Sequence, residues 1–161
     1  MRATTHLLGG QALGLATVCL WGRGATPLLA GAALGSLLPD IDHPGSKLGR
    51  KVRPVSWTLE AVVGHRGPIH SLLLPALVAA VGFPLAVGSR FGIPFLIGVL
   101  LGIFSHFLLD AFNPTGLPLF FPFSSHRFSF PLTVKTGGVG ELGFTLLCAV
   151  ASALLAWKVW G

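Results

Sequence analysis

The chain has 161 residues, of which 52% are hydrophobic and only 10% charged, and its mean hydropathy is +0.78. Soluble domains carry about a quarter charged residues, so this chain cannot cover a water-exposed surface, and lipid is the expected solvent for most of it. The net charge of +6 would suit nucleic acid on a soluble protein, but no basic stripe with interleaved aromatics is present and nucleic acid is excluded as a partner.

Five apolar segments follow in chain order. They predict an all-α, polytopic helical membrane bundle of about 4–5 membrane segments, residues 1–161 forming a single integral membrane domain. The first segment runs from about Thr4 to Trp21. Arg2 and the apolar stretch behind it look like a signal peptide, but no small-residue cleavage site follows, so an uncleaved first helix is expected. Cys19 and Cys148 lie within apolar segments and read as small buried hydrophobes rather than a disulfide pair.

The second segment, from about Ala25 to Leu38, has Pro27 near its start and Pro39 just past its end. Its length of about 21 Å at 1.5 Å per residue should end below the headgroups. The third runs from His70 to Val87, with Pro75 and Pro84 expected to kink it. The fourth spans Gly92 to Phe112 and the fifth Glu141 to Trp160. Gly31 and Gly35, like Gly98 and Gly102, stand four apart, which would let helix backbones approach closely in lipid. Glycine is also common in membrane helices generally, and both readings stay open.

Two connections are long. Residues 39–69 contain a stretch, Val55 to Val63, that predicts a short interfacial helix anchored by Trp57. Residues 113–137 are rich in Pro and Phe, and their apolar content predicts a loop that dips into the interface or packs over the bundle.

Threading the segments through a bilayer places Arg2, Lys47, Arg50, Lys51, Arg53, Arg66, Arg127 and Lys135 on one side, and Arg23, Arg90 and Lys158 on the other. The positive-inside rule makes the first side cytoplasmic. The same threading brings His6, Asp40, Asp42, His43, His65, His70, His106 and Asp110 to that side, although they come from four widely separated segments.

All three Asp residues of the chain are in this group. Ionised carboxylates at or below a bilayer interface cost several kcal/mol unless a cation compensates them. A divalent metal neutralises several at once, and imidazoles complete its shell. His106 and Asp110 stand four apart on one helix face, a spacing that grips one ion or makes a simple His–Asp hydrogen bond. Asp40 and Asp42 alternate along a stretch after Pro39 and could converge on an ion, or could serve as solvated helix-end polar groups. In Gly64-His65-Arg66-Gly67-Pro68-Ile69-His70-Ser71 the glycines permit a close approach to a ligand, and Arg66 could fork onto a phosphate. The plainer reading there is a topogenic Arg between two interfacial histidines. His6 by itself reads as an interfacial histidine, and becomes a ligand candidate only in company with the others. Glu60 and Glu141 read as ordinary segment-end acids.

The resulting assignment gives metal ligation to His6, Asp40, Asp42, His70, His106 and Asp110, and catalytic parts to His43, His65 and Arg66. The metal is expected to be zinc, one or two ions, with Mn or Mg as alternatives. The motifs PDIDHP, GHRGPIHS, SHFLLD and NPTGLPLFFPF, preceded by His6, resemble a bacterial and archaeal family described as membrane-bound metal-dependent hydrolases of the YdjM type. The resemblance covers nearly the whole chain in the same order. It implies a helical protein of the cytoplasmic (inner) membrane with hydrolase activity, and it offers the same eight Asp and His residues as metal or catalytic positions. Ile69 departs from the pattern, where the family often has Thr before the second His. The expected function is therefore a metal-dependent hydrolase acting on a membrane lipid at the cytoplasmic face, with a phosphoester as the favoured bond. The alternative is a non-catalytic, metal-stabilised membrane module that binds lipid or a protein partner. A metal transporter would need ligands open to both sides, and ranks below both.

Overall fold

A computed structural model describes residues 1–22, 24–63 and 67–161. Among the described residues all regular structure is helical, apart from one isolated antiparallel bridge between Leu117 and Phe128. The α-helices are α1 (Ala3–Trp21), α2 (Ala25–Leu37), α3 (Arg53–Val63), α4 (Leu73–Val87), α5 (Gly92–Ala111) and α6 (Val139–Trp160). Their bounds fall within a few residues of those expected from the apolar segments and the interfacial stretch.

The helix ends have local causes. Gly22 adopts φ 68° and returns its N–H to the Val18 carbonyl, closing α1, because glycine takes a left-handed backbone without a Cβ clash. Pro39 has no N–H to continue α2, and the chain tightens there into a 3₁₀ turn, Leu38–Asp42. A second 3₁₀ turn, Pro68–His70, precedes α4. These two turns carry Asp40, Asp42 and His70.

Helix α5 is the hub, packing against α2, α1 and α4, while α6 packs on α1. The two glycine pairs meet at the most extensive of these contacts. A Cβ on Gly31 or Gly35 would lie 2.1 or 2.0 Å from the Phe95 or Val99 carbonyl oxygen. One on Gly98 or Gly102 would lie 2.0 or 2.4 Å from the carbonyl oxygens of Leu28 or Ala32. The spacing thus serves close backbone approach, which settles the question left open by composition.

Toward the end of α5, Val99, Ile103, Phe107 and Ala111 form a buried cluster with Leu117 from the long loop. That loop is tied to the bundle through its backbone. Leu119 accepts from Leu72 N–H, Ala111 from Phe130 N–H and Phe112 from Val134 N–H. The start of the loop packs on the bundle through Leu117, while Phe120, Phe123 and Leu132 stay exposed.

Helices α5 and α6 are long and apolar enough to cross a membrane, and α4 is a shorter apolar helix. Leu142, Leu146, Leu147, Val150, Leu154 and Trp157 of α6 are exposed, as are Leu77, Val81 and Leu85 of α4. Apolar surface of this extent suits lipid rather than water.

Candidate metal centre

The six residues assigned as metal ligands from the sequence converge at one end of the bundle. His6 comes from the second turn of α1, Asp40 and Asp42 from the 3₁₀ turn after α2, His70 from the turn before α4, and His106 and Asp110 from the last turns of α5. His6, Asp42, His70, His106 and Asp110 are buried, and Asp40 keeps 17% of its side chain exposed.

Asp110 sits in the middle. Its Oδ1 lies 3.3 Å from His6 Nε2, and its Oδ2 lies 3.6 Å from His106 Nε2 and 4.0 Å from His70 Nε2. Asp40 Oδ1 is 3.9 Å from His106 Nε2. The His6 and His106 rings stack with centroids 3.7 Å apart, and the His70 ring meets His106 edge-on at 5.5 Å. Among the described residues, two overlapping sets of donor atoms are close enough to share an ion: His6, His106 and Asp110, and Asp40, His70 and His106.

The tautomer of His106 follows from its surroundings. Nδ1 lies 2.8 Å from the Ser36 carbonyl oxygen, which can only accept, so Nδ1 carries the proton. In the neutral ring Nε2 then presents a lone pair, directed toward two carboxylates. It has no hydrogen-bond partner among the described residues, and neither has His6 Nδ1. Buried polar atoms are seldom left unsatisfied, and a lone pair facing carboxylate oxygens is repulsive unless a cation lies between them. A divalent ion fits this donor set, with the Ser36 carbonyl in the orienting role usual for a metal-bound histidine. The Met1 amino nitrogen lies 2.6 Å from Asp110 Oδ1, but one ammonium cannot balance the two buried carboxylates, Asp42 and Asp110, together.

His70 shows a related arrangement. Its Nδ1 is 3.2 Å from Asp42 Oδ2, both side chains being fully buried. Burial pushes the His70 imidazole below its ordinary pKa, against the opposing pull of Asp42. The ring is therefore neutral at pH 7, the state in which imidazole binds metal. Asp42 stands outside both donor sets.

Of the residues given catalytic parts, His43 is exposed and lines a cleft of about 420 Å³ beside Asp40. His65 and Arg66 lie outside the described residues.

One residue read as an ordinary segment-end acid has a different position. Glu141, in the first turn of α6, is buried. It accepts hydrogen bonds from the backbone N–H of Arg2 and of Gly137 and from the Thr5 hydroxyl, which also meets Thr145 Oγ1 at 2.8 Å. Glu141 thereby ties the start of α1, and with it His6, to α6. A sequence signal did exist, since an acid in the first turn of an apolar helix favours its N-terminus. Its burial depends on α1 packing against it. Asn113 was likewise not anticipated. Just beyond α5 it donates to Thr136 Oγ1 and accepts from Thr115 N–H, bracing the loop near Asp110.

The chain is 35% identical over 141 residues to Uncharacterized protein YvsG of Bacillus subtilis (strain 168), covering 88% of this chain and 85% of that protein. It is 38% identical over 135 residues to Inner membrane protein YdjM of Escherichia coli (strain K12), covering 83% of this chain and 65% of that relative, just under two thirds of its length. No solved structure matches the chain. A family model described as YdjM inner membrane protein matches residues 1–161, and the chain belongs to that family of inner membrane proteins.

Proposed function

We propose that this protein is a metal-dependent hydrolase embedded in the cytoplasmic membrane, acting on a lipid at the cytoplasmic face with a phosphoester as the favoured bond. The observation that carries the reading is the buried convergence of His6, His70, His106 and Asp110 from separate elements, with His106 Nε2 3.6 Å from Asp110 Oδ2 and 3.9 Å from Asp40 Oδ1. In this reading the chain is one multi-pass domain over residues 1–161, with about 4–5 membrane segments, and the 8-to-3 distribution of basic residues sets its orientation.

The donor geometry favours one ion. Both donor sets use His106, whose Nδ1 is engaged by Ser36, and a single nitrogen lone pair binds a single ion. Zinc suits the imidazole–carboxylate mixture, with Mn or Mg as alternatives. Such an ion supplies a Lewis acid that can bring the pKa of a water molecule to about 7. Asp42 orients His70 through Nδ1 instead of ligating. Asp40, the one partly exposed donor, faces the side from which substrate arrives. His43, at the cleft, and His65 are assigned proton transfer, and Arg66 is assigned to hold phosphate. In the reaction a water oxygen would bond to phosphorus and give a proton to one of these histidines, while the P–O bond to the leaving alcohol breaks and the leaving oxygen takes a proton from the other.

A second reading, a metal-stabilised module binding lipid or a protein partner without turnover, draws support from the near-complete burial of five of the six ligand candidates, since structural metal sites are closed. Metal analysis of the detergent-purified protein, alongside Asp110→Ala and His70→Ala variants and a screen of lipid classes for hydrolysis, separates the two. Metal-dependent turnover lost in both variants supports the hydrolase. Stoichiometric metal with no turnover of any lipid class overturns it in favour of the module.

A further inference from the structure

The cleft beside the centre is strongly basic. It has a volume of about 420 Å³, within the usual range of small-molecule sites, and is lined by Arg2, Lys47, Arg50 and His43 together with Asp40. Three basic side chains and one carboxylate side chain therefore line it, beside the Met1 amino group, which pairs with Asp110. Lys47 and Arg50 form no ion pair among the described residues. Arg2 approaches a carboxylate only at the limit of pairing, its Nε lying 3.9 Å from Glu141 Oε2.

The cations are held by structure on both sides. The Arg2 backbone is anchored through its N–H to Glu141, and its carbonyl accepts from the Thr5 and His6 N–H groups at the start of α1. Across the cleft, the Ser46 hydroxyl donates to the Asp40 carbonyl and accepts from Gly49 N–H, while Arg50 N–H returns to the Ser46 carbonyl. The loop bearing Lys47 and Arg50 is thus fastened to the turn that carries Asp40. Because Asp40 belongs both to the cleft and to a donor set of the centre, a ligand in the cleft lies next to that centre.

We infer that this cleft is a binding site for a phosphate monoester, with a lipid headgroup as its expected source. The assignment rests on the hydrolase reading proposed above, whose substrate class it narrows. A phosphate monoester carries close to two negative charges at pH 7, matching an excess of two cations over carboxylates. A diester brings only one charge, and a choline headgroup brings a cation of its own that Arg2, Lys47 and Arg50 repel. Arginine guanidinium groups are suited to forked contacts with phosphate oxygens.

The test measures binding of dioctanoyl phosphatidate, dioctanoyl phosphatidylglycerol, dioctanoyl phosphatidylcholine and glycerol 3-phosphate to the full chain in neutral detergent. It compares wild type, the Lys47→Ala/Arg50→Ala double variant and Asp110→Asn. The expected result is phosphatidate bound at least about tenfold more tightly than the phosphodiester lipids, a step of about 1.4 kcal/mol, with that preference lost in the double variant. Phosphatidate bound more tightly than glycerol 3-phosphate identifies the lipid as source; equal affinities identify a soluble monoester, and the site stands in either case. Equal binding of phosphatidate and phosphatidylglycerol, or a double variant that binds as wild type, overturns the assignment. The two readings fail separately. Selective binding by wild type and Asp110→Asn without turnover keeps the headgroup site and removes the hydrolase. Metal-dependent turnover that the double variant leaves unchanged does the reverse.

Discussion

The Nδ1 of His106 on α5 donates to the main-chain carbonyl of Ser36 on α2 across 2.8 Å. This bond exists only because the two helices approach at backbone distance, with Gly35 against Val99 and Gly102 against Ala32. A packing feature therefore sets the tautomer of a candidate ligand. The bond makes His106 Nε2 the shared member of both donor sets, so His106→Ala should remove metal from the purified protein to below about a tenth of the wild-type content. Elemental analysis after gel filtration reads this directly, and metal content near wild type would exclude His106 as a ligand.

The helix crossing can be tested without touching a ligand. A Cβ at Gly35 would stand 2.0 Å from the Val99 carbonyl oxygen, which neither backbone can accommodate in place. Gly35→Ala should destabilise the protein by about 1–3 kcal/mol or more and reduce metal content as well, because Ser36 moves with the helix. Gly143→Ala is the control. It lies within α6 with nothing within 4 Å of an added Cβ, and should be neutral or stabilising by up to about 1 kcal/mol. Thermal unfolding in detergent compares the two.

Asp42 and Asp110 should differ in kind. Asp42 meets the Nδ1 of His70 at 3.2 Å, whereas Asp110 lies among the Nε2 atoms of His6, His70 and His106. Asp42→Asn should weaken metal affinity by about 10–100-fold, the usual effect of losing an orienting partner. Asp110→Asn should cost more, and Asp110→Ala should abolish binding. Chelator competition ranks them, and an equal loss in both Asn variants would return Asp42 to the ligand set.

Glu141 should matter for stability and for the centre alike. Its carboxylate receives Arg2 N–H, Gly137 N–H and the Thr5 hydroxyl. Glu141→Ala leaves these donors without their acceptor, at about 1–3 kcal/mol for each one that stays buried. Glu141→Gln keeps one acceptor oxygen and should lose less. Thermal unfolding should order the proteins wild type, Gln, Ala, and metal affinity should fall in the same order because His6 rides on the α1 start that Glu141 holds.

Some of this protein was legible in its sequence because the physics involved is local. Scarcity of charge reports the solvent, apolar run length reports helix extent, and Pro39 marks a helix end through its own backbone chemistry. The i, i+4 placement of His106 and Asp110 follows from helical periodicity, and threading sufficed to bring His6, Asp40, Asp42 and His70 to the same level. What depends on long-range packing was not legible. The meeting of Gly31 and Gly35 with Gly98 and Gly102, the carbonyl that selects the His106 tautomer, the place of Asp42 behind His70 and the burial of Glu141 each require a particular register between helices far apart in the chain. Composition and spacing state which residues share a membrane level. Only the interhelical contacts decide which nitrogen faces which oxygen, and that decision is what turns a set of polar residues into a site.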